Sequence, residues 1–165
     1  MTHAHYRCIF VAVDGSATAE FALEHAVQLA KSQHARLHIA HVVEGYRCAQ
    51  AFVGPDEPDV AAALEALRQD GRRLLAEAKT KAAGAGVQVE TALLQTRALT
   101  ERPAALLAAE ATRSQADLIV IGTHGLRNSE RVTLGSVAEA LIRNTMVPVL
   151  LLRTGADRQT GDRSQ

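Results

Sequence analysis

The residues best suited to chemistry lie in one polar segment that begins and ends with glycine. It starts with Gly122-Thr123-His124-Gly125 and ends with Gly135-Ser136. Glycines allow a sharp turn and let the backbone pass close to a ligand. A helix that begins at Gly135-Ser136 would offer free N–H groups and a dipole to an anion, and the Ser136 hydroxyl would add a donor. The segment therefore predicts a polyphosphate held between a loop and a helix N-terminus.

Each of these residues, taken alone, also has a purely structural explanation. Gly122 could serve only as a turn glycine, and Gly135-Ser136 only as a helix cap. The joint pattern of a strand, G-x2-G-x9-G-S and a helix is much more specific than its parts. Other familiar motifs are missing, since the sequence contains no GxxxxGK[ST], no GxGxxG after a strand and no GxSxG.

The hydrophobic pattern places the segment within an alternation of strands and helices. Short apolar runs predict buried parallel strands, and apolar residues at the helical period predict helices. The predicted strands are 8–13, 37–43, 87–95, 117–121 and 147–152, and the predicted helices are 17–32, 58–83, 104–113 and 135–144. This alternation predicts one open α/β domain, with a five-stranded parallel sheet and helices on both faces. Ligands of such sheets bind beyond the carboxyl ends of the strands, where the strand order reverses.

The composition fits one domain and argues against several classes of protein. The chain has 165 residues, of which 47% are hydrophobic, enough for one core. A formal net charge of zero, 3% aromatic residues and no Trp argue against a nucleic-acid partner. The two cysteines have no disulfide or zinc spacing, and no signal-like or membrane-spanning run is present. We therefore expect a soluble, cytoplasmic protein with a flexible polar tail over 154–165.

The joined motifs resemble those of the universal stress protein family over residues 6 to about 153. Val11-Ala12-Val13-Asp14-Gly15-Ser16 is similar to the end of the family's first strand, and Gly122-x2-Gly125-x9-Gly135-Ser136 resembles its ATP-binding signature. The resemblance implies one nucleotide-binding domain over 1–153 with strand order 3-2-1-4-5, which would put Asp14 beside the glycine segment. It also implies a homodimer through the fifth strand, whose apolar residues would form an exposed edge.

The resemblance further implies roles for individual residues. Asp14 would lie near the ribose and phosphates or bind a metal, and the backbone of Val42 would pair with adenine. The ribose and phosphates would be wrapped by Gly122, Thr123, His124 and Gly125, and the outer phosphates held by Gly135, Ser136 and Val137. The implied ligand is ATP, with Mg²⁺ as an accompanying ion. Asp14 as a cap of the first helix and Val42 as an ordinary core residue remain alternatives.

The other histidines do not form a closed set of metal ligands. His38 and His41 should lie on opposite faces of one strand, and His3 and His5 lie at the terminus. We expect structural or solvated roles for all four. His124 differs because it lies inside the glycine segment.

Three functions remain open on these grounds. The leading hypothesis is an ATP-binding stress-response regulatory protein that signals through nucleotide occupancy. The alternatives are a slow ATP hydrolase and a nucleotide-free dimeric scaffold or chaperone-like protein. An adenylating enzyme is less favoured, because Val13-Asp14-Gly15-Ser16 stands where such an enzyme would want an SGG-type loop. We expect Gly135→Val to block phosphate binding while leaving the fold intact.

Overall fold

The computed structural model describes residues 5–45, 47, 60–124 and 134–154, which form alternating strands and helices. The elements are β1 (Cys8–Ala12), α1 (Ala17–Gln33), β2 (Arg36–Val43), α2 (Val60–Gly84), β3 (Val89–Gln95), α3 (Pro103–Arg113), β4 (Leu118–Gly122), α4 (Ser136–Asn144) and β5 (Val149–Leu152). The predicted type and order of these elements are confirmed, and their ends differ from the prediction by at most two residues. Most of the predicted loop 44–58, residues 125–133 of the glycine segment and the tail from 155 lie outside the described residues.

The strands form one parallel sheet in the order β3-β2-β1-β4-β5, which confirms the order that the resemblance implied. Ala12 lies opposite Ala40 on one side of β1, and Val11 lies opposite Val120 on the other. The carboxyl ends of β1, β2 and β4 therefore meet at the same edge. The chain proceeds from β1 outward through β2 and β3 and then crosses back to β4, so the strand order reverses between β1 and β4.

Helices cover both faces of the sheet, and alternate strand residues face different cores. Ile9 and Val11 belong to a core shared with α1 and α2. Phe10 and Ile119 belong to a core shared with α3 and α4. Side chains alternate along a strand, so the position of a residue in this alternation shows whether it faces the α1–α2 core or the α3–α4 core.

Helix α3 is attached to the sheet by a buried polar pair. His38 and Glu110 are both buried, and Nε2 of His38 lies 2.8 Å from Oε1 of Glu110. The His38 ring stacks on Phe10 with a centroid distance of 5.6 Å. Hydrogen bonds from Arg113 are the largest cause that keeps the pKa of Glu110 below its usual range, and His38 adds to the effect. These contacts give His38 the structural role expected from the sequence.

Strand β5 begins two residues later than predicted because Pro148 has no N–H to donate to a ladder. The Pro148 carbonyl accepts a hydrogen bond of 2.8 Å from the Ile119 N–H. The Val147 N–H donates to Oγ1 of Thr145 instead. β5 pairs with β4 at the end of the strand order and is therefore an edge strand. Within the described residues, no helix is both long and apolar enough to cross a bilayer.

Candidate functional site

The turn after β1 brings Asp14 to the point where the strand order reverses. Gly15 has φ +81°, a left-handed conformation that favours glycine and turns the chain into α1. Ser16 is the N-cap of α1, since its Oγ accepts the Ala19 N–H at 3.1 Å. Oδ1 of Asp14 accepts the Ser16 N–H at 2.9 Å. The alternative in which Asp14 caps the helix is therefore wrong, because Asp14 braces the turn and Ser16 provides the cap.

Gly122 is required for close packing rather than for a turn. It is the last residue of β4, and a Cβ there would lie 2.7 Å from Cγ2 of Thr18 and 3.1 Å from the Thr18 carbonyl oxygen. A contact of 2.7 Å is shorter than real Cβ atoms make and one of 3.1 Å is tighter than most, so a larger residue would push the first turn of α1 away from the end of β4. The turn-glycine alternative is therefore wrong, and Gly122 allows α1 and β4 to pack closely.

Thr123 connects the end of β4 to the start of α4. Its N–H donates to the Leu152 carbonyl at 2.8 Å, and its own carbonyl accepts the Gly135 N–H at 2.7 Å. A Cβ at Gly135 would lie 2.9 Å from that carbonyl oxygen. The expectation that Gly135→Val would leave the fold intact must therefore be revised, because the new side chain would push against backbone.

The N-terminus of α4 has no side chain to cap it. Its N-cap is Gly135, which makes no side-chain cap hydrogen bond. The first N–H groups of a helix have no partner within the helix, and the dipole favours an anion there. Helix α1 differs, because Ser16 already occupies one of its first amides. No side chain therefore caps the first amides of α4, which include those of Ser136 and Val137, and their role toward an anion stays a prediction.

His124 adds a polar ring beside the start of α4. Its Nδ1 lies 2.9 Å from Oγ1 of Thr123. Its Nε2 is buried and has no hydrogen-bond partner among the described residues. Because buried polar atoms are nearly always paired in native proteins, an orphan atom at this edge is suited to a ligand or a water molecule. Gly125 lies outside the described residues, so its role stays a prediction.

A half-buried apolar surface lies on the other side of β1. Ala12, Val42 and Leu94 stand near the carboxyl ends of β1, β2 and β3 and pack against the core on the α3–α4 face. Val42 and Leu94 are partners in the β2–β3 register. All three side chains keep some exposed area. Binding sites for small ligands combine such apolar walls with a few placed polar groups. Val42 packs against the core as an ordinary core residue would, and its pairing with adenine stays a prediction.

The described residues contain no group of three or more His, Cys, Asp and Glu side chains that could hold a metal ion. Asp14 can therefore supply only a single carboxylate. That donor set fits Mg²⁺, which usually keeps several waters and is bound through one or two carboxylates together with phosphate oxygens. A metal at Asp14 would depend on a phosphate ligand being present.

One residue of this edge was missed from the sequence. Thr18 was read as part of an amphipathic helix, yet it forms the wall against Gly122, and its Oγ1 lies 3.5 Å from Oγ1 of Thr154. His41 was expected to be structural or solvated, and its contacts are structural, since its Nδ1 lies 2.8 Å from the Val13 carbonyl. Its ring also packs against Gly71, and an interior glycine in a helical pattern often marks close packing.

The structure is an open α/β sheet whose carboxyl edge carries the N-terminus of α4 without a side-chain cap. Comparison with known proteins places the chain in a family: it belongs to the universal stress protein family, whose model matches residues 5–153. It is 35% identical over 149 residues to the universal stress protein MJ0531 of Methanocaldococcus jannaschii, covering 90% of this chain and 82% of that protein. The family that the motifs suggested is thus confirmed.

Solved structures agree with this assignment. A universal stress protein family structure from Burkholderia pseudomallei is 34% identical with a TM-score of 0.70, and the match covers 91% of this chain and 98% of that one. A universal stress protein in complex with cAMP is 27% identical with a TM-score of 0.62, and the match covers 92% of this chain and 100% of that one. The family therefore includes a similar structure that binds a nucleotide.

Proposed function

We propose that this protein is a cytoplasmic stress-response regulator that binds an adenine nucleotide, with ATP and accompanying Mg²⁺ as the expected ligand. One observation carries the proposal: the 2.7 Å hydrogen bond from the Gly135 N–H to the Thr123 carbonyl. This bond fixes the uncapped N-terminus of α4 against the end of β4, beside the point where the strand order reverses. A phosphate group matches both the charge preference and the free donors of that position.

The phosphates would lie between α4 and the end of β1. The amides at Ser136 and Val137 and the orphan Nε2 of His124 supply donors for phosphate oxygens. Asp14 lies at the end of β1 and supplies the carboxylate for Mg²⁺. Thr123 supports the arrangement, because its hydrogen bonds link β5, β4 and α4.

The base would lie over the half-buried surface formed by Ala12, Val42 and Leu94. This surface is apolar, and it is next to β1 on the side away from β4. A nucleotide has a flat apolar base at one end and anionic phosphates at the other, which matches the two halves of the cleft. The cAMP complex of a similar protein supports adenine as the base.

A homodimer through β5 forms part of the proposal. β5 is an edge strand, and an unpaired edge is a ready template for another strand. Leu150 of this strand is 38% exposed, so the edge also presents apolar surface to a partner. A nucleotide-free scaffold remains the competing function, because a protein that acts only as a dimer would not need a nucleotide-binding site.

Calorimetric titration with ATP, ADP, AMP, cAMP and GTP, each with and without Mg²⁺, tests the binding site. Ser136→Asp places a negative charge at the start of α4, which suits the helix dipole but repels phosphate. We expect ATP affinity to fall about tenfold or more with stability retained. Gln88→Glu is the matched control, because it adds the same charge at an exposed position near the opposite end of the sheet. A parent protein that binds no nucleotide at millimolar concentration would favour the scaffold function.

A further inference from the structure

The β1–β2 ladder ends at a place where the next rung could still form. In parallel strands, every second residue directs its N–H and C=O toward the same neighbour. The Ala40 carbonyl accepts the Val13 N–H at 2.9 Å, so Ala40 faces β1. Val42, two residues further along β2, directs its N–H and C=O to the same side. The next rung of the ladder would therefore join the Val42 N–H to the Val13 carbonyl.

The structure forms a different bond at this carbonyl. Among the described residues, no hydrogen bond joins Val42 to Val13, and Nδ1 of His41 lies 2.8 Å from the Val13 oxygen. Because a carbonyl only accepts, Nδ1 must carry the proton and donate. The His41 ring lies on the α1–α2 face of the sheet, against Gly71 of α2. Among the described residues the Val13 carbonyl thus accepts from this ring and not from the Val42 N–H.

Helix α2 is shaped to hold the ring in place. A Cβ at Gly71 would lie 2.8 Å from Cδ2 of His41 and 2.7 Å from Cδ1 of Leu93. Glycine is unfavourable inside a helix, and Gly71 is a buried interior residue of a 25-residue helix. Its absence of a side chain leaves the slot that the imidazole fills. The ring is therefore fixed between the helix backbone and the Val13 carbonyl.

We propose that His41 is a positioning residue that keeps the backbone of Val42 available to the base of the nucleotide. The Watson–Crick edge of adenine has an acceptor at N1 beside the donor N6 amino group. These two groups match the N–H and the C=O of Val42, which both point toward the β1 side of β2. His41 would then affect recognition of the base and leave recognition of the phosphates unchanged. The identity of the ligand in this inference rests on the proposed function. The claim that His41 keeps the Val42 amide unpaired in the ligand-free protein does not.

Amide hydrogen exchange of the ligand-free protein tests the inference without any nucleotide. His41→Leu removes the donor and keeps an apolar side chain, so the Val13 carbonyl is released to pair with Val42. We expect exchange of the Val42 amide to slow by about tenfold or more, as for a newly paired amide. His41→Asn is the matched control, because its Nδ2 lies near the position of Nδ1 and can donate to the same carbonyl. In that variant the Val42 amide should exchange as in the parent.

Affinity provides the second measurement. ATP binding should weaken about two- to tenfold in His41→Leu, the effect of one net hydrogen bond, and recover in His41→Asn. Binding of inorganic tripolyphosphate should be equal in all three proteins. Gly71→Ala displaces the His41 ring without removing it, so its effects should resemble those of His41→Leu. If His41→Leu does not fold, Gly71→Ala takes its place in the experiment. An unchanged Val42 exchange rate in the folded variant would overturn the inference. A parent that binds no ATP would overturn the proposed function, and the exchange result would still decide the role of His41.

Discussion

Gly135→Ala is the smallest change that tests how the cleft is built. The added Cβ would lie 2.9 Å from the Thr123 carbonyl oxygen, and ordinary contacts begin at 3.4 Å. The start of α4 must therefore move away from β4 by about 0.5 Å, which weakens the 2.7 Å hydrogen bond between the same two residues. Loss of that bond together with the backbone shift should lower the free energy of unfolding by about 1–3 kcal/mol. The amides that would bind phosphate move with the helix, so ATP affinity should fall by roughly tenfold.

Gly84→Ala is the control for this experiment. Gly84 is the last residue of α2, and a Cβ there would meet no atom within 4 Å. Alanine is the better helix former, so this variant should match the parent or be more stable by up to about 1 kcal/mol. Urea denaturation followed by circular dichroism measures stability, and calorimetry measures ATP binding. If Gly135→Ala is as stable as Gly84→Ala and binds ATP like the parent, the cleft does not depend on this close approach.

Three further outcomes follow from the structure. Leu150→Lys should weaken the proposed homodimer in sedimentation equilibrium, and a parent that is monomeric at micromolar concentration would exclude dimerisation through β5. Hydrolysis of bound ATP in a single-turnover assay with Mg²⁺ should be slower than about 1 per second, whereas completion within seconds and its loss in His124→Ala would identify an ATPase. Because the pKa of Glu110 is lowered in the folded state, this group stabilises the protein above the usual carboxyl pKa, and the stability is lost as pH falls below about 4.5. Glu110→Gln should therefore be less stable than the parent at pH 7 in urea denaturation, and the difference should shrink toward pH 3.

The sequence was sufficient where local pattern determines structure. The run from Leu118 to Ile121 is apolar without alternation, as expected for a strand that is covered on both faces, and each of its residues is buried. Gly135 was expected at the start of a helix, and it is the N-cap of α4. Both features depend on residues that are close in the chain, so a single sequence contains the information.

The role of Gly122 could not be predicted in the same way. Its partner is Thr18, which is more than a hundred residues away and lies on α1. A glycine at the end of an apolar run indicates a turn when only its neighbours are considered. Only the parallel arrangement of β1 and β4 shows that the first turn of α1 passes over this position. The packing reason for the glycine is therefore a property of the tertiary structure.

His41 shows a second limit of the sequence. Alternation along β2 placed His38 and His41 on opposite faces, and the structure confirms this, since His38 contacts Glu110 and His41 contacts Gly71. Alternation does not show where the ladder between two strands stops. At this end of the β1–β2 ladder the Val13 carbonyl accepts from the side chain of His41, which is far from it in the sequence.

If the site binds ATP as proposed, we expect it to hold the nucleotide rather than to hydrolyse it quickly. Phosphoryl transfer requires a positioned water, metal bridging and a cation that stabilises the developing charge. The sequence has no Lys between Gly122 and Ser136, and the two arginines of that segment, Arg127 and Arg131, lie outside the described residues. Amides at the start of α4 would bind the phosphates as well before the reaction as during it, and such uniform binding does not accelerate chemistry. An Nε2 of His124 that donates to phosphate, as proposed above, carries its proton and is not available as a base. We therefore expect the signal to be carried by whether the cleft is occupied, and its lifetime to be set by nucleotide dissociation.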